Sequence, residues 1–240
     1  MRRSTIKEYN KLSENLSNYV TRMSYRFLNL CVKAEPASLL PVEVMIDGEL
    51  QHLEKCSMLS KKDDYNFVII PNFDEDMPII GNGIFAIHPE FKQKLETMKV
   101  DVLDENGESK TQEVRYLLIT MPVVDDDRYD ILKEGVNVAY EECKTQMETT
   151  GKVSQAKFSA LAMEESQEEL DRLDKELEKM NKQWTDHRDK LYEAKLQEIE
   201  DAHNKWLAEK AEIDQKRMED EAAHNEHAAR SMRLNQEEDA

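Results

Sequence analysis

His224 and His227 stand three residues apart beside Glu221, a helical spacing that can seat a metal ion when a third ligand is fixed nearby. Nothing in the sequence fixes that third ligand in a rigid pocket, so a solvated helix surface is the plainer reading. His187 and His203 fall near an apolar stripe that carries Trp184 and Trp206. They read as partly buried neighbours of two core tryptophans rather than as catalysts. Cys31, Cys56 and Cys143 are odd in number, widely spaced and without paired metal-site spacing, which fits buried, idle thiols in a reducing compartment. The acidic groups Asp125–Asp127, Glu164-Glu165 and Glu168-Glu169 read as helix starts and solvated faces. No Gly-rich phosphate loop, nucleophile elbow or His/Cys dyad is present. The chain is therefore expected not to be an enzyme, and no cofactor or metal is expected.

The remaining chemistry is charge. The formal net charge is −18, but residues 1–30 hold six basic groups (Arg2, Arg3, Lys7, Lys11, Arg22, Arg26) against two acids (Glu8, Glu14). Residues 161–240 hold 24 acids and 13 bases. An acidic surface repels nucleic-acid phosphate, so contact with RNA has to use the amino-terminal stretch. Arg22 and Arg26 are one helical turn apart and Lys33 is two turns further on, which lets the three line one side. The plainer alternative is that they balance the acids of the later helices. The acidic carboxy-terminal tail is expected to meet a basic protein. No apolar run approaches the length that spans a bilayer, so no membrane partner is expected. Residues 1–30, basic and Ser/Asn-rich, have some transit-peptide character, although their apolar positions also continue a helix.

The elements that must position these groups follow from the breakers. All six prolines and all six glycines lie between Pro36 and Gly151, leaving both flanks free to run as long helices. Tyr9, Leu12, Leu16, Val20, Met23, Phe27 and Leu30 recur at three- and four-residue steps and define a first helix that stops before Pro36. Val42 to Ile46 and Asn66 to Ile70 read as strands, with a turn at Asp47-Gly48. Pro78, Gly81 and Gly83 interrupt the next apolar stretch, and Pro89-Glu90-Phe91 reads as the start of a short helix. Lys99 to Leu103, an Asn106-Gly107 turn and Val114 to Thr120 read as a hairpin. A second helix is expected from Asp125–Asp127, with a stripe of Leu132, Val136, Ala139, Cys143, Met147 and Leu161. A third carries Leu170, Leu173, Leu177, Met180, Trp184, Leu191, Ile199, Ala202, Trp206 and Ile213. Three amphipathic stripes of similar length close against one another. The expected fold is α+β: a long three-helix bundle from residues 1–35 plus 123–215, an inserted small β-rich α/β domain over 36–122, and an acidic helical or disordered tail over 216–240.

This order of elements resembles ribosome recycling factor, and local sequence adds to the likeness. Ala34-Glu35-Pro36-Ala37-Ser38-Leu39-Leu40 is similar to the family segment leaving helix one, and Ile46-Asp47-Gly48 sits where the family has an aromatic-rich turn. Leu50 to Leu59 follows, then Met121-Pro122-Val123-Val124-Asp125-Asp126-Asp127-Arg128, similar to the family's approach to helix two. Trp184-Thr185-Asp186 is similar to a Leu-Thr-Asp of helix three. The likeness spans roughly residues 5–210, through motifs that are each weak and moderately specific as an ordered set.

The resemblance implies an L-shaped body whose bundle lies on the large ribosomal subunit, touching its rRNA and ribosomal proteins. A small domain pivots on two linkers, here Glu35-Pro36 and Met121-Pro122. An elongation factor G-type GTPase is the implied partner in splitting the post-termination ribosome. It also implies rRNA contacts at Arg22, Arg26, Lys33, Lys144 and Lys152. Two family arginine positions on helix two are occupied by Glu148 and Gly151, and Leu30 replaces one on helix one. Lysine lacks the bidentate guanidinium fork that grips phosphate. Two functions follow: a divergent recycling factor, placed in the mitochondrial matrix or otherwise the cytoplasm, or a ribosome-associated assembly or structural protein, as of a mitoribosome, that kept the fold and lost recycling. A coiled-coil adaptor built from residues 160–230 ranks behind both, because it leaves the strand-rich insert without purpose.

Overall fold

The computed structural model of the chain describes residues 1–103 and 109–238. Helix α1 (Arg3–Asn29) buries Leu12, Leu16, Val20, Met23 and Phe27, the stripe expected from the sequence. Helix α4 (Asp126–Leu161) opens on Asp125, whose carboxylate accepts the Arg128 backbone N–H at 2.9 Å. That cap satisfies one of the N–H groups left free at a helix start. Gly135 and Gly151 lie inside α4 without ending it. Helix α5 (Gln167–Glu238) begins with a capping box in which Ser166 and Glu169 exchange side-chain and backbone hydrogen bonds.

The three helices form one bundle. Glu8 meets Lys157, Tyr19 meets Thr150 and Arg26 meets Glu142, so α1 runs antiparallel to α4. Tyr140 meets Asp189 and Tyr129 stacks on His203, so α5 returns antiparallel to α4 as well. The shared core includes Leu16, Val136, Ala139, Cys143, Leu173, Met180 and Ile199. The expected packing of α5 as far as Ile213 is corrected: Ile213 is 66% exposed, and partly buried contacts end near Trp206. The bundle ends there because α4 begins at Asp126, beside His203. Beyond it α5 continues as a helix for some thirty residues, about 45 Å at 1.5 Å per residue. Trp184 and Trp206, expected as core anchors, are only half-buried at the margin.

The insert has its own core. Strands β1 (Glu43–Ile46) and β2 (Glu49–His52) form a hairpin around Asp47-Gly48, whose φ values of 52° and 80° are those a two-residue turn needs. After a single helical turn, α2 (Leu53–Cys56), come β3 (Ser57–Lys61) and β4 (Asn66–Pro71). Helix α3 (Met77–Ile87) precedes the long hairpin of β5 (Lys92–Leu103) and β6 (Ser109–Thr120). The second sheet is antiparallel in the order β3-β4-β6-β5. Its Phe67, Ile69, Leu117 and Ile119 join Met77, Ile80 and Ile84 of α3 in one core.

The expected short helix at Pro89 is corrected. Residues 89–91 form a turn in which the Phe91 N–H donates to the His88 carbonyl, because Lys92 onward is drawn into twelve pairings with β6. The helix lies earlier, with Pro78 in its first turn, where its missing N–H costs nothing. Gly83 lies where β1 comes close: a Cβ there would stand 2.5 Å from Val44 Cγ1. The Asn106-Gly107 turn lies outside the described residues.

Candidate nucleic-acid interface

The five expected rRNA-binding residues fall in separate places. Arg22 is exposed on α1, while Arg26, one turn on, pairs with Glu142 of α4. The expectation that Lys33 continues their line is corrected, since α1 ends at Asn29 and Lys33 lies in the linker, 2.8 Å from Glu35. That carboxylate raises the pKa of Lys33. Lys144 lies 3.6 Å from Glu141, and Lys152 is exposed. Each is two residues beyond an α4 position that touches α1, Glu142 or Thr150. They are therefore turned about 200° around α4 from that seam. The structure brings together Arg22 and Arg26 alone.

The expected pivots sit at one end of the bundle. Pro36 starts a 3-10 turn over Pro36–Leu39, and Met121 is buried in the core of the insert. A loop that sequence reasoning missed ties both linkers. The Ala34 N–H donates to the Asp64 carbonyl at 2.7 Å, and the Met121 N–H donates to the Tyr65 carbonyl at 2.8 Å. The Asp64 carboxylate accepts from Lys61 at 2.9 Å and from Lys205 of α5 at 3.1 Å. These two ammonium groups hold its pKa down to about 2. Lys205 also lies 5.6 Å from the centre of the Tyr65 ring. An open cleft of about 220 Å³ runs beside this contact, lined by Lys33, Asp64, Tyr65, Glu198 and Lys205.

Arg128 braces the same end. Its Nη2 donates to the Cys31 carbonyl at 2.8 Å, and burial lowers its pKa against the opposing field of Glu90. Its Nε is buried without a hydrogen-bond partner among the described residues. His88, 1% exposed, stacks on Phe91 and places Nε2 3.0 Å from the Ser38 carbonyl just after the first linker. No spacing signal marks these groups, since 141 positions separate Asp64 from Lys205.

The other candidates resolve simply. His203, half-buried, has Nδ1 3.0 Å from the Val124 carbonyl and stacks between Tyr129 and Trp206. His187 is exposed and meets Trp184 edge-on. Cys31, Cys56 and Cys143 are buried free thiols whose pKa values burial raises. Glu165 accepts from the Arg2 N–H at 2.7 Å and from the Thr5 hydroxyl at 2.6 Å, tying the start of α1 to the α4–α5 turn. The His227 side chain lies outside the described residues; among those described, no three His, Cys, Asp or Glu residues gather as metal ligands. No described helix is long and apolar enough to cross a membrane.

No family model and no curated protein matches the sequence. Solved structures do match in three dimensions. A solution structure of the ribosome recycling factor superposes with a TM-score of 0.65 at 17% identity, over 84% of this chain and 100% of the other. Models for the T. thermophilus ribosome recycling factor and the E. coli elongation factor G bound to the E. coli post-termination complex match with a TM-score of 0.51 at 19% identity. That match covers 81% of this chain and 98% of the other. The chain thus has an α+β fold like that of ribosome recycling factor, a long bundle carrying a small sheet-bearing insert.

Proposed function

We propose that this chain is a divergent member of the ribosome recycling factor family, a ribosome-binding translation factor rather than an enzyme. It acts with an elongation factor G-type GTPase to take apart the post-termination ribosome. The observation that carries the reading is the overlap of bundle and insert along the whole length of a recycling factor. Residues 1–35 and 123 to about 206 act as the bundle, and residues 36–122 act as a lobe pivoting at Glu35-Pro36 and Met121-Pro122. Arg22 and Arg26 lead the contact with large-subunit rRNA, with Lys33, Lys144 and Lys152 as secondary cations. The test measures splitting of post-termination ribosomes by the purified chain with elongation factor G and GTP. Sedimentation of free subunits supports the proposal; intact ribosomes at saturating factor refute it.

A second reading is a ribosome-associated assembly or structural protein that kept this fold without recycling. It is favoured by the engagement of Arg26, Lys33 and Lys144 with acids of the chain itself, and by the projecting acidic α5, which suits a basic protein partner. Stable residence on immature subunits, with no splitting, selects this reading. Mitochondrial placement is carried by the basic amino-terminal stretch alone, and imaging of the tagged chain tests it.

A further inference from the structure

The seam between α4 and α5 is left unfilled at the end of the bundle away from the insert. There the side of α4 turned to α5 carries Gly151, Gln155, Ser159 and Ala162, residues too small or too polar to close it. A Cβ added to Gly151 meets nothing within 4 Å. The result is an open groove of about 480 Å³, which runs from Gly151 to Ala162, about 16 Å along the helix. Its floor is Leu12 of α1, Phe158 and Leu173, all buried, and half-buried Leu170 and Leu177 line the α5 side. Met163, one position past the groove, is 93% exposed. The two lips differ in charge. On α5 the exposed positions within about 60° of Asp174 are Gln167, Asp171, Glu178 and Asn181, so this lip holds three acids and no cation. None of the three acids makes an ion pair among the described residues. Lys175 and Lys182 lie further round the helix, about 80 to 100° from Asp174. On the α4 lip, exposed Glu148 and Lys152 offset each other.

We propose that this groove docks an amphipathic, basic helix of another protein, its apolar edge on Phe158, Leu170 and Leu177 and its lysines or arginines against Asp171, Asp174 and Glu178. The inference goes beyond the recycling reading and does not depend on it. A helix laid in a groove is held by residues at i, i+3, i+4 and i+7, and 16 Å of groove takes about three turns, enough for two or three such anchors. Charge selects among the occupants. The acidic lip repels nucleic-acid phosphate. A second copy, from a chain of net charge −18, brings acid to acid. The chain's own α5 extension does not reach, because α5 is one continuous helix whose packed part ends near Trp206, about 37 Å beyond Asn181. A partner helix that is apolar on one side and positive beside it satisfies both the floor and the lip.

The probe is a fluorescein-labelled peptide of leucine and lysine, about fourteen residues long, with its leucines on one helical face. Two counterparts replace lysine by glutamate or leucine by serine. Each is titrated by anisotropy into the full-length chain and into three full-length variants whose folding circular dichroism confirms. These are a lip variant (D171N, D174N, E178Q), a filled-groove variant (G151L, S159L) and a control with as many acids removed from the projecting part of α5 (E212Q, E219Q, E221Q). The expected result is that the wild type binds the leucine–lysine peptide and neither counterpart. The lip variant binds it about tenfold more weakly, the worth of three exposed ion pairs, and with less dependence on salt. The filled-groove variant loses binding, and the control keeps the wild-type affinity. Equal weakening by the lip variant and the control makes the effect one of net charge and overturns the inference. Wild-type affinity in the filled-groove variant places the peptide elsewhere and overturns it too. No binding to the wild type, or equal binding of the serine or the glutamate counterpart, removes the need for an apolar, basic helix and is equally fatal.

Discussion

Alanine at Gly83 and alanine at Gly151 are the same substitution inside two helices, and the structure gives them opposite signs. In a helix interior, Gly to Ala gains about 1 kcal/mol, because alanine loses less backbone freedom on folding. At Gly151 the added methyl meets nothing within 4 Å, so the gain is retained. At Gly83 the methyl stands 2.5 Å from Val44 Cγ1, 3.4 Å from the Glu43 carbonyl oxygen and 3.6 Å from Val42 Cγ1. Carbon atoms prefer about 3.5–4.0 Å, so the overlap with Val44 exceeds 1 Å. Val44 is 3% exposed and stiff at χ1, which leaves the strand to move instead of the side chain. Overpacking of this kind costs about 1–3 kcal/mol, which cancels or outweighs the propensity gain and gives a net loss near 1 kcal/mol. For a chain of this length that is a fall in Tm of about 2–4 °C for Gly83→Ala and a comparable rise for Gly151→Ala. Gly135→Ala falls between them, since its methyl meets the end of the flexible Leu30 side chain at 3.0 Å. Thermal unfolding is followed by circular dichroism for the whole chain and by tryptophan fluorescence for α5, which carries both tryptophans. A higher Tm for Gly83→Ala, or a lower one for Gly151→Ala, refutes the reasoning.

Four further outcomes are expected. Ile199→Ala, at a fully buried bundle position, costs about 3 kcal/mol and lowers Tm by some 6–12 °C; a change under 2 °C contradicts the described packing of α5. Asp64 keeps its charge down to about pH 2, so the stability it lends is complete above its ordinary value of 3.8 and is lost as pH falls from about 4 to 2. Carboxyl NMR titration of Lys61→Ala with Lys205→Ala should return its pKa towards 3.8, and an unmoved pKa argues against the ion pairs. A water-soluble disulfide reagent reacts slowly with the native thiols and promptly with all three after urea unfolding, and fast labelling of the native chain contradicts their burial. Removing residues 216–240 leaves Tm within about 1 °C, measured by calorimetry, because among the described residues no α5 side chain past Trp206 joins the bundle core.

The elements that the sequence announced are those whose signal is local. The α1 stripe, the Asp47-Gly48 turn and the Asp125 cap each depend on residues within a turn or two of one another. The third helix was legible for the same reason, although its period alone did not say where the partner helices ended. Helix α3 was missed because Pro78, Gly81 and Gly83 carry breaker propensities. In the fold Pro78 occupies the first turn, while Gly83 clears the approach of β1.

The candidate site divides along the same line. Its charge asymmetry could be counted from the residues, since the sum over residues 1–30 needs no coordinates. Which cations remain available could not. Arg26 is answered by Glu142, 116 positions away, and Lys205 by Asp64, 141 positions away. Composition and periodicity determined three long helices, a strand-bearing insert and a basic amino-terminal helix, because these are properties of neighbouring residues. Tertiary structure alone decided which charges cancel, which face of α1 stays open and which loop holds the two linkers, because those follow from distances between residues that only folding brings together.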